Sequence, residues 1–190
     1  MLKEVRPAIV LLLLMTALTG LAYPLAITGV AQLVFPTQAN GSLVERDGKV
    51  VGSALIGQAF ASDRYFHGRP SATAPQPYNA ANSGGSNYGP TSKALIERMG
   101  QDVAGRRAEN PGASVPTDLV TTSGSGLDPD ISPDSAAFQV PRVAKARNFQ
   151  ESVLRQLVAA HTQARALGFL GEARVSVLAL NLALDGMAGR

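Results

Sequence analysis

The hydrophobic pattern of the chain is dominated by one stretch near its start, Pro7 to Phe35, which contains no charged residue. About 20 consecutive apolar residues are enough to cross the hydrocarbon core of a bilayer. A lone segment in hydrocarbon must satisfy its own backbone hydrogen bonds, so it has to be helical. The pattern therefore predicts a transmembrane helix over residues 7–35, with a kink at Pro24.

This stretch also invites two other interpretations, a buried core helix and a cleaved secretory signal. A buried core helix of this length would be expected to carry some charge. A cleaved secretory signal needs a basic start, a short apolar centre and small residues at the cut. Lys3 and Arg6 supply the basic start, and Leu18–Ala22 could be cut. The apolar run continues well past that point, which favours an uncleaved anchor.

The positive charges around this helix predict its orientation. Lys3 and Arg6 precede it, and the next positive residue is Arg46. By the positive-inside rule, residues 1–6 are expected in the cytoplasm and residues 36–190 on the outer, periplasmic side. The soluble part would then lie across the membrane from ATP.

Beyond the anchor, the first recognisable pattern is a β-hairpin. Residues 42–46 and 49–56 are rich in β-forming residues and flank Asp47-Gly48, a dipeptide suited to a two-residue turn. A helix should follow, capped by Thr91 or Ser92. Its apolar stripe is Leu95, Met99 and Val103, and it should end around Gly105 and the Asn110-Pro111-Gly112 turn.

The last third of the chain predicts two more helices and a late strand. Ser132 should cap a helix that Pro141 interrupts, and Asn148 should open the next one, which ends near His161. A strand is expected at residues 175–177, whereas residues 178–187 fit either a strand or a short helix. Hairpin, helices and late strand together indicate one periplasmic α+β domain over 36–190.

Composition excludes several functions. Without Lys3, Arg6 and Glu4 the chain carries 15 Lys and Arg against 13 Asp and Glu, and no basic cluster indicates nucleic-acid binding. There is no cysteine, so neither disulfides nor thiolate metal sites are possible. Four carboxylates at positions 118, 128, 130 and 134 lack the spacing of a calcium loop, so turn and helix caps are the expected roles. No metal site is predicted.

A catalytic set is not evident either. Ser123-Gly124-Ser125-Gly126 is close to a nucleophile elbow, but Thr121 stands where the first glycine should be. The alternative function, a membrane-anchored periplasmic serine hydrolase, would need the fold to bring His67 to Ser123 or Ser125. His161 is expected to cap a helix or lie at the core edge. A third possibility, a solute-binding module facing lipid, would need a large apolar pocket.

The loops from Phe60 to Pro90 combine aromatic residues with Gly, Ser and Asn, a composition suited to adaptable contact with another protein. Their aromatics favour an ordered loop over a disordered one. The alternative is that these residues only pin the loops to their own domain. The candidate partner interface consists of Tyr65, Phe66, His67, Arg69, Ser83, Ser86, Asn87 and Tyr88.

Several motifs in these loops and beyond resemble the C subunit of the Kdp potassium-transporting P-type ATPase. The resemblance runs from Arg6 to Asp185, and one departure is Ser92-Lys93, where members often carry Asn-Pro. The motifs are Gly52–Gln58, Tyr65–Ala72, Ser83–Asn87, Asp118–Thr121, Ser125–Asp128, Ile131–Pro133, Pro141–Arg147 and Leu180–Asp185, with Arg6-Pro7 and Tyr23-Pro24 in the anchor.

The resemblance implies membership of a bacterial inner-membrane complex for high-affinity potassium uptake. Its partners would be a channel-like subunit that selects potassium and a subunit that hydrolyses ATP with magnesium, and the surrounding lipid would contact the anchor. The C subunit is described as raising the ATP affinity of the hydrolysing subunit. This chain has neither a P-loop nor an Asp-Lys-Thr-Gly phosphorylation motif. It is therefore expected to be a non-catalytic accessory subunit, assisting assembly or gating and binding no cofactor of its own.

Overall fold

The computed structural model describes residues 2–188 of the chain. These residues form two compact units, and the boundary falls between Val51 and Gly52. The first unit holds the apolar helix and most of the hairpin, and the second holds the remaining helices and a three-stranded sheet. The structure thus contains the mixed helices and strands that the sequence predicts.

The first unit begins with a long apolar helix, Lys3–Val34, of which nothing is buried by the rest of the protein. It is long and apolar enough to cross a membrane, which supports the predicted anchor. Its parts are α1 (Leu2–Ala17), a π-helical turn (Leu18–Ala22) and α2 (Tyr23–Val34), and a short helix α3 (Pro36–Ala39) follows.

The π turn lies immediately before Pro24. Proline has no backbone N–H, and its ring crowds the carbonyl four residues earlier, which here belongs to Gly20. The wider turn relieves that crowding, and the N–H of Tyr23 donates to the carbonyl of Leu18, five residues back. The structure thus has a π turn immediately before Pro24, where the sequence predicts a kink.

The predicted hairpin is confirmed. Strand β1 (Leu43–Arg46) pairs with β2 (Lys49–Ser53), and Asp47 and Gly48 form the turn between them. Both turn residues have positive φ, at 53° and 72°, as a two-residue hairpin turn of this kind requires.

The second unit is organised around a small antiparallel sheet in the order β3-β5-β4. In the centre, Val175 of β5 lies opposite Ile131 of β3 on one side and opposite Thr162 of β4 on the other. The elements of this unit are α4 (Lys93–Glu109), β3 (Asp130–Ile131), α5 (Pro133–Arg147), α6 (Glu151–Ala160), β4 (Thr162–Gln163), β5 (Arg174–Ser176) and α7 (Val177–Ala188).

The core of this unit lies where α5, α6, α7 and the sheet pack together. One residue of the long loop, Phe66, is fully buried among them. The other buried members are Ile131, Ala136, Val140, Val143, Ala144, Leu154, Val158, Val175, Val177, Leu180 and Leu184.

Residues 178–187, for which the sequence left strand and helix open, are helical. The buried positions Val177, Leu180, Asn181 and Leu184 follow the i, i+3, i+4, i+7 spacing of a helix face. The alternating leucines had obscured this spacing. The predicted strand at 175–177 is confirmed as β5, although it ends one residue earlier.

One predicted helix boundary is wrong and another is right in part. Asn148 does not open α6. It ends α5 in a left-handed conformation with φ of 58°, and Gln150 stands at the start of α6 without a side-chain cap. Asparagine suits both positions, and here it takes the left-handed C-terminal position. Helix α4 continues through Gly105 to Glu109 and is capped by Asn110, so the predicted Asn110-Pro111-Gly112 turn ends it and Gly105 does not. Ser92 and Ser132 cap α4 and α5 as predicted.

Candidate functional site

The first half of the candidate interface is a segment whose backbone is clamped by two buried amide side chains. Asn181 accepts from the Phe66 N–H and donates to its carbonyl, both at 2.9 Å. Gln139 accepts from the His67 N–H at 2.8 Å and donates to the His67 carbonyl at 3.1 Å. A primary amide carries one acceptor and one donor group, so it pairs with a backbone as a neighbouring strand would. The clamps fix Phe66 and His67 against α5 and α7.

Tyr65 is engaged inside the domain. Its hydroxyl donates to Asp185 at 3.2 Å, and the guanidinium of Arg147 lies 4.7 Å from its ring centre. Arg147 also forms an ion pair with Asp185 at 2.6 Å, and its side chain is almost completely buried. The ring of Phe60 packs on Tyr65 with 5.5 Å between centroids. These contacts give Tyr65 an internal structural role.

The guanidinium of Arg69 forms its hydrogen bonds within its own domain. One terminal nitrogen donates to Asp128 at 2.9 Å and the other to the Thr122 carbonyl at 3.4 Å. Its Nε is buried without a hydrogen-bond partner among the described residues. The planar fork that the sequence suggested for a partner protein therefore joins the 65–69 segment to the loop around Asp128.

The position of Tyr78 explains why residue 68 in the same motif is a glycine. The Tyr78 hydroxyl donates to the Arg69 carbonyl at 2.6 Å, and a Cβ on Gly68 would collide with that hydroxyl. Burial, with the nearby Asp128 carboxylate as the second cause, raises the pKa of Tyr78 to about 12. The phenol thus stays neutral and remains a donor.

The hydrolase hypothesis fails its geometric condition. The Nε2 of His67 lies 3.0 Å from the Ser62 carbonyl, and within residues 2–188 no hydrogen bond joins His67 to Ser123 or Ser125. Ser123 Oγ accepts from the Gly126 N–H at 2.9 Å, as expected of a turn serine. In the described part of the chain, His67 therefore does not serve either serine as a base.

The ionisation of His67 is also unsuited to a cationic role. Burial and, secondly, the neighbouring Arg142 guanidinium lower its pKa from the ordinary 6.5. The imidazole is therefore held neutral. Its Nε2 faces the Ser62 carbonyl oxygen, which can only accept, so Nε2 carries the ring hydrogen and donates the hydrogen bond.

The second half of the candidate interface is a loop that rests on the 123–126 turn. The N–H of Gly84 and the hydroxyl of Ser83 both donate to the Ser125 carbonyl, at 2.9 and 3.0 Å. Ser86 Oγ accepts from the Thr122 hydroxyl at 3.4 Å. The base of this loop is thus held by hydrogen bonds.

The tip of that loop is accessible to solvent. Asn87 is exposed and has a positive φ of 54°, and half of the Tyr88 side-chain surface is accessible. No side-chain hydrogen bond of Tyr88 occurs within residues 2–188. The candidate interface is therefore divided: residues 65–69 hold the domain together, whereas residues 83–88 present an exposed aromatic side chain on a fixed base.

Asp118, Asp128 and Asp130 are engaged in hydrogen bonds and ion pairs within the second unit. Across residues 2–188 no three His, Asp or Glu side chains are grouped to hold a metal ion. Asp118 holds the two serines at the start of α5, accepting from the N–H and hydroxyl of Ser132 at 2.8 and 3.0 Å and from the Ser135 hydroxyl. A cleft of about 610 Å³ beside α4 is lined by Asp63, Glu109, Arg142 and Lys145, among others, which does not suit an apolar solute.

Sequence reasoning missed the residues that hold the 65–69 segment, namely Gln139, Asn181 and Arg147. A signal for the two amides was present, because each occupies the apolar face of its helix. A polar residue on such a face needs a buried partner. The partner could not be named, since it lies far away in the sequence. His161 caps α6 as predicted.

Nearly the whole chain is similar to proteins of one known family. The family model described as K+-transporting ATPase, c chain, matches residues 5–186. A Bradyrhizobium diazoefficiens protein named potassium-transporting ATPase KdpC subunit is 67% identical over 100% of both chains. Proteins of the same name from Rhodopseudomonas palustris BisB18 (97% of this chain and 98% of the relative) and Methylobacterium nodulans (100% of both) are 67% and 66% identical. The chain therefore belongs to the KdpC family, the accessory c chain of potassium-transporting ATPases.

Proposed function

We propose that this chain assists assembly or gating of a high-affinity potassium uptake pump by docking on the channel-like subunit through residues 83–88. The observation that supports this is the half-exposed Tyr88, which stands on a hydrogen-bonded base and has no side-chain hydrogen bond among the described residues. Exposed tyrosines on rigid loops are frequent anchors of protein interfaces.

The proposal assigns the other half of the candidate interface a positioning role. Phe66 is fully buried, so it could reach a partner only if the domain unfolded. Tyr65 and Arg69 engage their polar groups internally. Their contribution to docking would be indirect, through the shape of the domain that carries the 83–88 loop.

The proposed location is the bacterial inner membrane, with residues 1–6 in the cytoplasm, 7–35 crossing the bilayer and 36–190 in the periplasm. Lys3 and Arg6 before the helix support this orientation. A second unit in the periplasm would not contact ATP, which is in the cytoplasm. Any effect on the ATP affinity of the hydrolysing subunit would then have to pass through the membrane-embedded subunits.

The docking proposal is tested with Tyr88→Ala in the complete pump. Removing an anchoring aromatic typically costs about 2 kcal/mol or more, which is roughly a thirtyfold loss of association. The measurement is the amount of channel-like subunit that co-purifies with the tagged chain over a dilution series. Tyr88→Phe, which keeps the ring, should retain association. Ile96→Ala, which shortens an exposed apolar side chain on neighbouring α4, is the matched control. Unchanged association of Tyr88→Ala would refute the proposed docking site.

The orientation is tested by adding protease to intact spheroplasts. Digestion of the second unit from outside is the expected result. Protection until lysis would place that unit in the cytoplasm and would reopen direct contact with the ATP-hydrolysing subunit.

A further inference from the structure

The loop between β4 and β5 carries a cluster of exposed apolar side chains that the proposed function does not use. This β4–β5 loop covers residues 164–173. Leu167, Phe169 and Leu170 are 81%, 70% and 51% exposed, and every residue from 163 to 172 is exposed. The loop therefore projects from the second unit with neither face covered by it.

The loop nevertheless has a defined shape. Ala166 and Leu170 exchange backbone hydrogen bonds of 3.0 and 2.9 Å, which closes a tight turn over Leu167, Gly168 and Phe169. Three large apolar side chains exposed on a defined turn do not stabilise the fold, because they are not buried. Such a group is typical of a binding surface.

Leu167 carries two unfavourable features at once. Its φ is 54°, in the left-handed region where Gly and Asn are the usual residues and a bulky side chain is strained. Its side chain is also the most exposed of the cluster. Strain at a position that local packing does not explain points to a role outside the domain.

The chain itself identifies an apolar surface within reach. Helix α2 ends at Val34 and the hairpin starts at Leu43, so at most about 30 Å of extended chain lies between them. The two-residue turn then brings the end of β2 back beside the start of β1, and the second unit begins at Gly52. A domain of this size is about 35–40 Å across. A bilayer that holds the apolar helix therefore lies within reach of its surface.

One charge beside the loop tip suits the boundary of a bilayer. No charged residue occurs from 166 to 171. Arg165 precedes this apolar stretch and Glu172 follows it, both exposed, whereas Arg174 in β5 is paired with Asp130 at 3.1 Å. Arginine next to apolar side chains is the usual arrangement at the headgroup level, where the guanidinium binds lipid phosphate and the stem lies along the acyl chains.

We propose that the β4–β5 loop inserts shallowly into the same bilayer that the N-terminal helix crosses. Leu167, Phe169 and Leu170 enter the boundary between headgroups and acyl chains, and Arg165 binds phosphate oxygens there. The loop is then a second, reversible membrane contact that restricts how the second unit is oriented over the membrane. This inference depends on the apolar helix being an anchor, and it holds for either side of the membrane.

The absence of cysteine from the chain allows a direct test. The full chain with Phe169→Cys is labelled with an environment-sensitive fluorophore. It is then reconstituted into vesicles of zwitterionic and anionic phospholipid that contain a nitroxide-labelled lipid. Ser114→Cys, an exposed position elsewhere in the second unit, is the matched control. We expect a blue-shifted emission at position 169 and at least about threefold stronger quenching by the labelled lipid than at position 114.

A second variant tests whether the neighbouring leucines contribute to the insertion. Leu167→Ser and Leu170→Ser, added to Phe169→Cys, should reduce the quenching toward the control value, and both residues are exposed enough for the fold to tolerate the change. Equal quenching at positions 169 and 114 would overturn the proposal. A second result would also overturn it: the label at position 169 stays in water when the chain alone is in vesicles, and becomes protected only when the other pump subunits are added. That result would assign the loop to a protein surface.

Discussion

Residues 65–69 and residues 83–88 look alike in sequence and differ in what the fold does with them. Both are coil segments that mix an aromatic side chain with glycine and polar residues. The first is clamped by Gln139 and Asn181 and places Phe66 in the core, whereas the second is fixed only at its base and leaves Tyr88 half exposed. Composition identifies a segment able to make contacts, and long-range hydrogen bonds decide whether those contacts are internal or external.

The largest expected contrast between the two segments comes from Phe66→Ala. Removing a fully buried aromatic ring from a core leaves a cavity and typically costs about 3–5 kcal/mol. Tyr88→Ala, an exposed truncation, should change the free energy of unfolding by about 0.5 kcal/mol or less. Denaturant unfolding of the full chain in detergent measures both. Similar losses in the two variants would contradict the division of the interface.

Asn181→Ala sharpens the comparison by releasing one clamp without touching the loop itself. The Phe66 N–H and carbonyl both lose their partner in a buried site, which should cost about 2–6 kcal/mol at about 1–3 kcal/mol for each unsatisfied group. Hydrogen exchange should accelerate at the Phe66 amide in particular. The control is Gln156→Ala, an exposed amide on α6, for which no such change is expected. Intact protection of the Phe66 amide in Asn181→Ala would show that the clamp is dispensable.

Arg69→Ala tests whether the first segment takes any part in docking. Loss of the partly exposed ion pair to Asp128 and of the hydrogen bond to Thr122 should cost about 1 kcal/mol of stability. Association with the channel-like subunit should be unchanged. A double-mutant cycle with Asp128→Ala isolates the pair, with an expected coupling of about 0.5–1 kcal/mol. If Arg69→Ala weakened association with the channel-like subunit without changing stability, Arg69 would belong to the docking interface.

The smallest expected effect is the pH dependence contributed by His67. Its pKa in the folded protein lies below 6.5, the value it regains on unfolding, so the unfolded chain takes up a proton first as the pH falls. Stability is therefore lost as the pH drops below about 6.5 and through the lower, folded pKa. In His67→Gln the difference in stability between about pH 7.5 and about pH 5.5 should shrink. An unchanged difference would show that other groups account for the pH dependence.

Local chemistry made part of this structure predictable. The Asp47-Gly48 turn and the Ser132-Pro133 start of α5 are confirmed because each depends on a few adjacent residues. Asn148 was misassigned because asparagine suits both a helix start and a left-handed helix end. Within the sequence these two roles look the same, and only the packing of α5 against α6 separates them.

The candidate site was less predictable for a physical reason. The hydrogen bonds that clamp the 65–69 segment join residues 72 and 115 positions apart in the chain. No periodicity connects such pairs, so the loop motif could be found without its partners. Residues 178–187 show that periodicity can also be ambiguous within one element. Their alternating leucines fit a strand, but the segment is a helix that buries Asn181 and Leu184 on one face.

The π turn at Leu18–Ala22 divides the apolar helix into two halves that are out of phase. One residue more per turn at that point rotates everything after it by about 100° relative to a continuous α-helix. A stripe of side chains that runs straight along α1 therefore does not continue along α2 at the usual spacing of three and four residues. The two halves of the helix therefore turn different sets of side chains toward any one direction beside the helix.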